Sequence, residues 1–237
     1  MPDTQLEFLD HNGVRIPNDP RIITRQIARA MRAGRYEKDE MRGLPKFIKP
    51  GARIVELGAG LGFVSSYVGV HLGITDTLCI EANPELCDFI PGTHGMNNLD
   101  GITVRNAVAL NDAQIAAAGA TMPFYIRDPF WGSSLSADED FQRVVDVPAI
   151  SLSDTLREFE ATTLIVDIEG GEADLFCDLD LGPVQNVYLE LHTRYIRQAG
   201  IKRCFDALSA ANFCYDQKVS AGGSVLFRKM SDRAARR

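Results

Sequence analysis

The stretch Arg53-Ile-Val-Glu56-Leu-Gly58-Ala-Gly60-Leu-Gly62-Phe63 decides the fold of this chain. An apolar run, typical of a buried strand, leads directly into three glycines at alternate positions, and a helix-like segment follows. Glycine adopts positive φ and lets a ligand approach the backbone, and the start of the next helix presents unpaired N–H groups to that ligand. The stretch therefore predicts a strand, a glycine loop and a helix that together bind a ligand.

Short apolar runs alternate with helix-like segments through the rest of the chain. The runs predict strands at 53–57, 77–80, 102–109, 163–168 and 186–191. The helix-like segments are 62–72, 84–90, 153–159, 171–177 and 195–211. Two of the strands are near-continuously apolar, as in parallel sheets covered by helices on both faces. Segments 213–218 and 224–228 flank Ala221-Gly222-Gly223 and predict an antiparallel hairpin.

These elements predict an α/β fold: a single Rossmann-like, doubly wound, mostly parallel sheet that closes with a C-terminal antiparallel hairpin. We expect residues 51–230 to form this domain and residues 231–237 a frayed tail. Residues 1–50 are predicted to be a helical preface, with a helix starting at Asp19-Pro20 and ending at Gly34. The irregular segment 111–150 is predicted to be an insertion over the active site.

The composition favours a globular protein and disfavours membrane-spanning and nucleic-acid-binding proteins. The 237 residues are 45% hydrophobic and 24% charged, which is typical of a globular chain. Lys and Arg number 25 against 32 Asp and Glu, so the net charge of −7 disfavours a nucleic-acid partner. No apolar run approaches the roughly 20 residues of a membrane span. Five cysteines without a Cys-x-x-Cys pair favour the reducing cytoplasm as the location of the protein. Separately, the protein is expected to be a monomer or a homodimer.

The glycine spacing and two acidic residues favour S-adenosylmethionine as the cofactor. A dinucleotide fingerprint is Gly-x-Gly-x-x-Gly, but here the third glycine comes one residue early and Phe63 takes its place. Glu56 would repel a pyrophosphate yet suits the ammonium group of a methionine moiety. Glu81 ends the next strand, where a carboxylate can bind both ribose hydroxyls. The alternatives are a nicotinamide dinucleotide and a glycine turn that serves chain geometry only.

The predicted cofactor contacts lie in the glycine loop and at the ends of the following strands. They are Glu56, Gly58, Gly60, Gly62, Glu81, Ala82, Asn106, Ala107 and Asp167.

From about residue 44 to residue 229 the chain resembles the FkbM-type methyltransferases of the class I S-adenosylmethionine-dependent superfamily. The resemblance rests on VELGAGLGF, IEANPEL, NAVALND, WGSSL, SLSDTL, IVDIEGGEADLF and YLELH. The family's Asp-x-Glu-Gly-x-Glu pattern is matched by Asp167, Glu169, Gly170 and Glu172, and the acid ending the next strand by Glu190. The family often has a lysine before the Asp, where this chain has Val166.

The resemblance implies methylation of a hydroxyl on a small molecule, commonly a sugar or a polyketide-type natural product. Two other functions remain open from the sequence: a nicotinamide-dependent oxidoreductase and a catalytically silent, methyltransferase-like binding module. The absence of the family's lysine at Val166 is the reason for considering the silent module.

The catalytic candidates are His192 and Asp167. An alcohol acceptor has to lose its proton, so a base is expected within hydrogen-bond reach. His192 comes just past a predicted central strand, and its titration range suits a base. Asp167 is the alternative, as base or as a ligand of the donor's methionine end. His94 is expected in a loop.

The acids at the strand ends and the irregular segment 111–150 also raise the possibility of metal and acceptor sites. Asp167, Glu169, Glu190 and His192 could gather at strand ends and hold Mg²⁺ or Ca²⁺ through Asp167, Glu190 and His192. A metal is not favoured, because Glu169 and Glu172 also suit a helix N-terminus electrostatically. The predicted acceptor-site residues are Trp131, Ser133, Ser134, Glu169 and Glu190.

Overall fold

The computed structural model describes residues 7–128, 132–135 and 140–231. The predicted tail therefore lies outside the described residues except for Ser231, and so does Trp131. In chain order the elements are β1 (Phe8–His11), β2 (Val14–Pro17), α1 (Arg25–Arg32), α2 (Lys38–Gly43), β3 (Ile54–Leu57), α3 (Phe63–Leu72), β4 (Thr77–Glu81), α4 (Pro84–Met96), β5 (Thr103–Asn106), β6 (Val108–Leu110), α5 (Asp112–Ala117), β7 (Thr121–Ile126), β8 (Arg143–Ser151), α6 (Leu152–Glu158), β9 (Thr163–Val166), α7 (Glu172–Leu175), β10 (Asn186–Glu190), α8 (Thr193–Ala210), β11 (Phe213–Tyr215) and β12 (Ser224–Lys229).

A seven-stranded sheet with the order β11-β12-β10-β9-β3-β4-β5 forms the centre of the fold. Strands β5, β4, β3, β9 and β10 pair in parallel, while β12 pairs antiparallel to both β10 and β11. The chain leaves β3 towards β4 on one side and returns to β9 on the other. The predicted doubly wound sheet with a C-terminal antiparallel hairpin is confirmed, and its ligand crevice is expected at the carboxyl edge between β3 and β9.

Apolar clusters cover both faces of this sheet. One face packs against α6, α7 and α8 through residues such as Leu156, Ala173 and Leu208. The other packs against the N-terminal segment and α3 through residues such as Ile27 and Phe63. Strands β3 and β9 are buried along their whole length, which explains their continuous apolar sequence. In the described part of the chain, each helix is too short or too polar to cross a bilayer.

The N-terminal segment is helical only in part, and the predicted helix start is wrong. Strands β1 and β2 form a hairpin that turns at Asn12 and Gly13, both with positive φ (51° and 79°). An Asn-Gly pair between alternating apolar residues is itself a hairpin signal. Helix α1 begins only at Arg25, where the Thr24 hydroxyl caps it, because the Asp19 carboxylate bonds Arg21 instead.

The predicted strand 102–109 is two strands in two sheets. β5 belongs to the large sheet, whereas β6 belongs to a three-stranded sheet with the order β6-β8-β7. The chain switches sheets at Ala107, whose N–H donates to the Glu81 carbonyl. Much of segment 111–150 is thus regular, because α5 and the antiparallel pair β7–β8 occupy it. Its apolar residues pack into a separate small cluster around Phe124 and Val147.

Helix α4 extends past Pro91 to Met96, so His94 lies in a helix rather than in the predicted loop. The predicted helix ends at residue 90, just before Pro91, and a proline inside a helix removes a backbone donor. His94 is 4% exposed, and its Nε2 lies 3.0 Å from the Ser65 hydroxyl. Burial lowers the pKa of His94 to about 4.

We expect His94→Gln to remove an acid-dependent loss of stability. With its pKa lowered in the folded state, His94 contributes stability that is present above its unfolded pKa near 6.5. That stability is lost as the pH falls through 4. Urea unfolding at pH 7.5 and 4.5 should therefore show a smaller pH-dependent loss in the variant than in the wild type. An equal loss in both proteins would contradict the assignment.

Candidate functional site

A cavity of about 920 Å³ opens at the carboxyl edge of the large sheet, beside β3 and β9. The loop after β3 and the ends of β4, β9 and β10 form its floor. Residues of the N-terminal segment, of the three-stranded sheet and of the start of α8 form its walls. Because the strand order reverses between β3 and β9, the cavity occupies the expected ligand crevice.

The glycine loop borders the cavity through Gly58 and Gly60, which both have positive φ (78° and 54°). A Cβ on Gly58 would lie 1.7 Å from the Asp167 carbonyl oxygen, so only glycine fits there. Gly62 has a different role: it precedes α3, and a Cβ would lie 2.7 Å from Ile90 Cγ2. The structure therefore places Gly58 and Gly60 at the cavity and Gly62 in helix packing.

Glu81 ends β4 with its carboxylate held by the backbone of two loops. Its Oε2 accepts from the Gly60 N–H at 2.9 Å, and its Oε1 accepts from the Asn83 N–H at 2.8 Å. Burial raises the pKa of Glu81, while the bonds from backbone N–H groups oppose that rise. The bonds fix the carboxylate at the cavity border, next to the glycine loop.

Of the three other predicted cofactor contacts near Glu81, two line the cavity and one stabilises the end of β4 from behind. Ala82 and Ala107 border the cavity. The Asn106 side-chain amide donates to the carbonyl oxygens of Glu81 and Ala82, each at 2.9 Å. Asn106 thus fixes the end of β4, and its place in the structure is behind the cavity surface.

Glu56 borders the cavity from β3 and is 3% exposed. Its carboxylate accepts a hydrogen bond from the Cys79 thiol at 3.3 Å. Burial raises the pKa of Glu56 to about 7. A carboxylate that is only half ionised at neutral pH in the unliganded cavity is suited to a cationic ligand group, which would favour its charged form.

Asp167, Glu169, Glu190 and His192 border the cavity at and just beyond the ends of β9 and β10. The His192 Nε2 lies 3.4 Å from Asp167 Oδ1 and 3.3 Å from Glu169 Oε2. Burial raises the pKa of Asp167 well above its usual range, and the nearby Glu190 adds to the rise. The strand ends therefore place three carboxylates around one imidazole.

Glu172 holds this imidazole from behind. It is fully buried at the start of α7, and its Oε1 lies 2.5 Å from His192 Nδ1. Burial lowers the pKa of His192, but the bond to Glu172 and the charges of Asp167 and Glu169 outweigh burial and raise it to about 9. The surrounding carboxylates therefore favour the protonated imidazole in the unliganded cavity.

The cavity residues of the N-terminal segment and of α8 are absent from the residues predicted from the sequence. Tyr36, Glu37 and Glu40 border the cavity from one side, and Arg194 and Arg197 from another. These positions follow no periodic pattern that would mark them as site residues.

Three non-glycine residues with positive φ border the cavity. They are Glu37 (48°), Glu169 (49°) and Arg197 (54°), the last at a kink inside α8. Such conformations cost free energy and cluster at functional sites. These strained positions mark the site in the structure. They cannot be recognised in the sequence, because the positive φ values are seen only in the backbone geometry.

Ser133 and Ser134 border the cavity from the segment 132–135. The Ser133 hydroxyl accepts from the Arg127 N–H at 2.9 Å. The Arg127 guanidinium donates to the Ser134 hydroxyl at 2.8 Å and to the Gly132 carbonyl at 3.1 Å. Arg127 thus fixes both serines at the cavity, whereas the third predicted acceptor residue, Trp131, lies outside the described residues.

Among solved structures, the chain is similar to several methyltransferases. The ribosomal protein L11 methylase from Lactobacillus delbrueckii subsp. bulgaricus shares 15% identity, with 83% of this chain and 80% of that chain covered and a TM-score of 0.49. The O-methyltransferase from Bacillus cereus, solved in complex with SAH, shares 14% identity over 81% and 80%, with a TM-score of 0.47. TYW2 from P. horikoshii, in complex with MeSAdo, shares 11% identity, with 93% of this chain and 68% of that chain covered and a TM-score of 0.49.

No family model and no curated protein matches the chain. The FkbM resemblance drawn from the motifs therefore stays a prediction. Identities of 11–15% leave the function to be argued from the site itself.

We expect Gly58→Ala to destabilise the protein far more than Gly60→Ala. Both positions have positive φ, which costs an alanine roughly 1–2 kcal/mol. At Gly60 nothing lies closer than 4.0 Å to the new Cβ, whereas at Gly58 the Asp167 carbonyl must move. Urea unfolding should show a loss of roughly 3 kcal/mol or more for Gly58→Ala. Equal losses for the two variants would contradict the close approach of β3 and β9.

Proposed function

We propose that the protein is an S-adenosylmethionine-dependent methyltransferase. The observation that carries the proposal is the placement of two buried carboxylates, Glu56 and Glu81, on either side of the Gly58–Gly60 loop at one cavity. Glu81 offers fixed carboxylate oxygens to the two hydroxyls of a ribose. Glu56 offers a carboxylate to the ammonium group of the methionine moiety, and the loop lets the nucleoside approach the backbone.

The same residues oppose a dinucleotide. A pyrophosphate at the glycine loop would lie near the Glu56 carboxylate, and charges of the same sign repel strongly in a buried site. Phe63, which is 1% exposed, occupies the position of the fingerprint's third glycine. Both facts oppose a dinucleotide, and the Glu56 carboxylate favours a ligand that carries positive charge near the glycine loop.

The proposed reaction is methylation of a hydroxyl on a small molecule such as a sugar or a natural product, as the FkbM resemblance implies. Methyl transfer from a sulfonium is an in-line displacement, so the protein has mainly to align donor and acceptor, which can contribute roughly 7–11 kcal/mol. The walls of the cavity, from Tyr36 and Glu37 to Ser133 and Ser134, suit a polar acceptor.

The acceptor's proton leaves towards the strand-end groups, for which Asp167 and His192 are the candidates. The bond to Glu172 and the nearby carboxylates raise the pKa of His192 to about 9, which favours its protonated form in the unliganded cavity. Burial also raises the pKa of Asp167, which makes its carboxylate a stronger base than a carboxylate in water. Glu169 and Glu190 are proposed to contact the acceptor, since both border this end of the cavity.

We propose a cytoplasmic location and a monomeric or homodimeric protein that binds neither nucleic acid nor membrane. All five cysteines are free, which agrees with a reducing compartment. The net charge of −7 agrees with a partner other than nucleic acid.

Calorimetric binding of S-adenosylhomocysteine tests the cofactor. We expect micromolar affinity for the wild type and at least a tenfold loss in Glu81→Ala, because hydrogen bonds to a charged group contribute roughly 1.5–3 kcal/mol each. Glu158→Ala, at an exposed position on α6, serves as the matched control and should bind normally. Tight binding of NADH without binding of S-adenosylhomocysteine would instead support the oxidoreductase. Cofactor binding without transfer to any hydroxylated acceptor would support the silent module.

We expect binding of S-adenosylhomocysteine to release a proton from Glu56 near neutral pH. Burial raises the pKa of Glu56 to about 7 in the free protein, and a neighbouring ammonium group would lower it again. Affinity should therefore rise about tenfold between about pH 6 and 8. Calorimetry in buffers of different ionisation enthalpy measures the proton, and Glu56→Gln should abolish its release. A pH-independent affinity in the wild type would separate Glu56 from the ligand.

A further inference from the structure

We propose that Asp167, Glu190 and His192 bind a divalent cation of the Mg²⁺ or Mn²⁺ class, with Glu172 as the residue that positions His192. Each of the three ligands offers an atom, and the three atoms lie within 4.8 Å of one another. Ligand atoms on one ion, at bonds of about 2.0–2.6 Å, cannot lie more than about 5 Å apart. The role given to the ion rests on the proposed methyl transfer.

The orientation of the imidazole is the second observation that points to a cation. Glu172 is fully buried, and its Oε1 accepts from His192 Nδ1 at 2.5 Å and from the Gly170 N–H at 3.1 Å. Metal-binding histidines generally donate their second ring N–H to a carboxylate in this way, which fixes the tautomer and the ring plane. Glu172 does not border the cavity, so its position serves to direct Nε2 into the cavity.

The groups that Nε2 faces also call for a positive charge. Asp167 Oδ1 is a buried atom without a hydrogen-bond partner among the described residues, and it lies 3.4 Å from His192 Nε2. A neutral Nε2 would direct its lone pair at this oxygen and at Glu169 Oε2, 3.3 Å away. A proton on Nε2 satisfies one such contact at a time. A cation bound between Nε2 and the carboxylates satisfies them together.

The balance of charge at the cavity agrees with a cation. Besides the three ligands, Glu169, Glu37 and Glu40 border the cavity. Among the described residues at the cavity, Arg127, Arg194 and Arg197 supply the guanidinium charges. Glu40 is 8% exposed, and its carboxylate accepts a hydrogen bond from the Ser224 hydroxyl. Water therefore solvates its negative charge only slightly.

The ion would select oxygen over nitrogen in the acceptor. The two carboxylate ligands suit Mg²⁺ and Mn²⁺, which prefer oxygen donors. When bound, the ion would lower the pKa of an acceptor hydroxyl. Asp167 and His192 would then be ligands of the ion rather than the base, and the proton would pass to solvent. The oxygen then forms a bond to the methyl carbon, the carbon–sulfur bond breaks, and its electron pair returns to sulfur, which leaves a neutral thioether. The acceptor class is therefore a hydroxylated compound rather than an amine.

Binding of Mn²⁺ alone to the full-length protein tests the site without methyl transfer. Electron paramagnetic resonance of free Mn²⁺ should show about one bound ion per chain in the wild type. Glu190→Gln and His192→Gln should each lose this binding. Glu158→Gln, at an exposed position, is the matched control and should bind as the wild type does. A wild type that binds no Mn²⁺, or an affinity that Glu190→Gln leaves unchanged, would overturn the proposal.

Glu172→Gln tests the positioning role. We expect its Mn²⁺ affinity to fall 10–100-fold, which is the usual effect of losing a residue behind a metal ligand. Its circular dichroism and its affinity for S-adenosylhomocysteine should stay at the wild-type level, since Glu172 lies outside the cavity. Unchanged Mn²⁺ affinity in a folded Glu172→Gln would overturn the positioning role. Because the Mn²⁺ readout needs no cofactor, its failure is distinct from a failure to bind S-adenosylhomocysteine.

Discussion

The close approach of the turn after β3 to the end of β9 is the constraint on which the rest of the site depends. A side chain at Gly58 would lie 1.7 Å from the Asp167 carbonyl oxygen, so the two strand ends meet only because Gly58 has none. This contact brings the glycine loop and the acidic strand ends to one cavity. It joins the part of the site that suits a nucleoside to the part that suits an acceptor.

Buried carboxylates are the second organising feature, and each is compensated differently. Glu81 is compensated by the N–H groups of Gly60 and Asn83. Glu172 bonds His192, and that ring faces Asp167. Glu56 has the Cys79 thiol as a partner, and burial raises its pKa to about 7. Groups held in this way favour cationic ligands, because burial without a countercharge is costly.

Periodicity predicted the sheet well because buried parallel strands are continuously apolar. Four strands, β3, β4, β9 and β10, lie within two residues of their predicted ends. The errors arose where a local signal competed with tertiary packing. Pro91 did not end α4, since the helix packs on past it, and Ala107 divided one apolar run between two sheets. The Asn12-Gly13 pair is a local hairpin signal, but the apolar stripe that follows it favours a helix.

The sequence by itself determined the α/β class, the glycine loop and the carboxylates that follow each parallel strand. It did so because strand periodicity and strand-end chemistry are local properties of the chain. Only the tertiary structure decided that Glu172 lies behind His192 and that Glu37 and Arg197 reach the same cavity. Those relations join residues far apart in the chain, and they depend on how helices pack over the sheet, which no local pattern encodes.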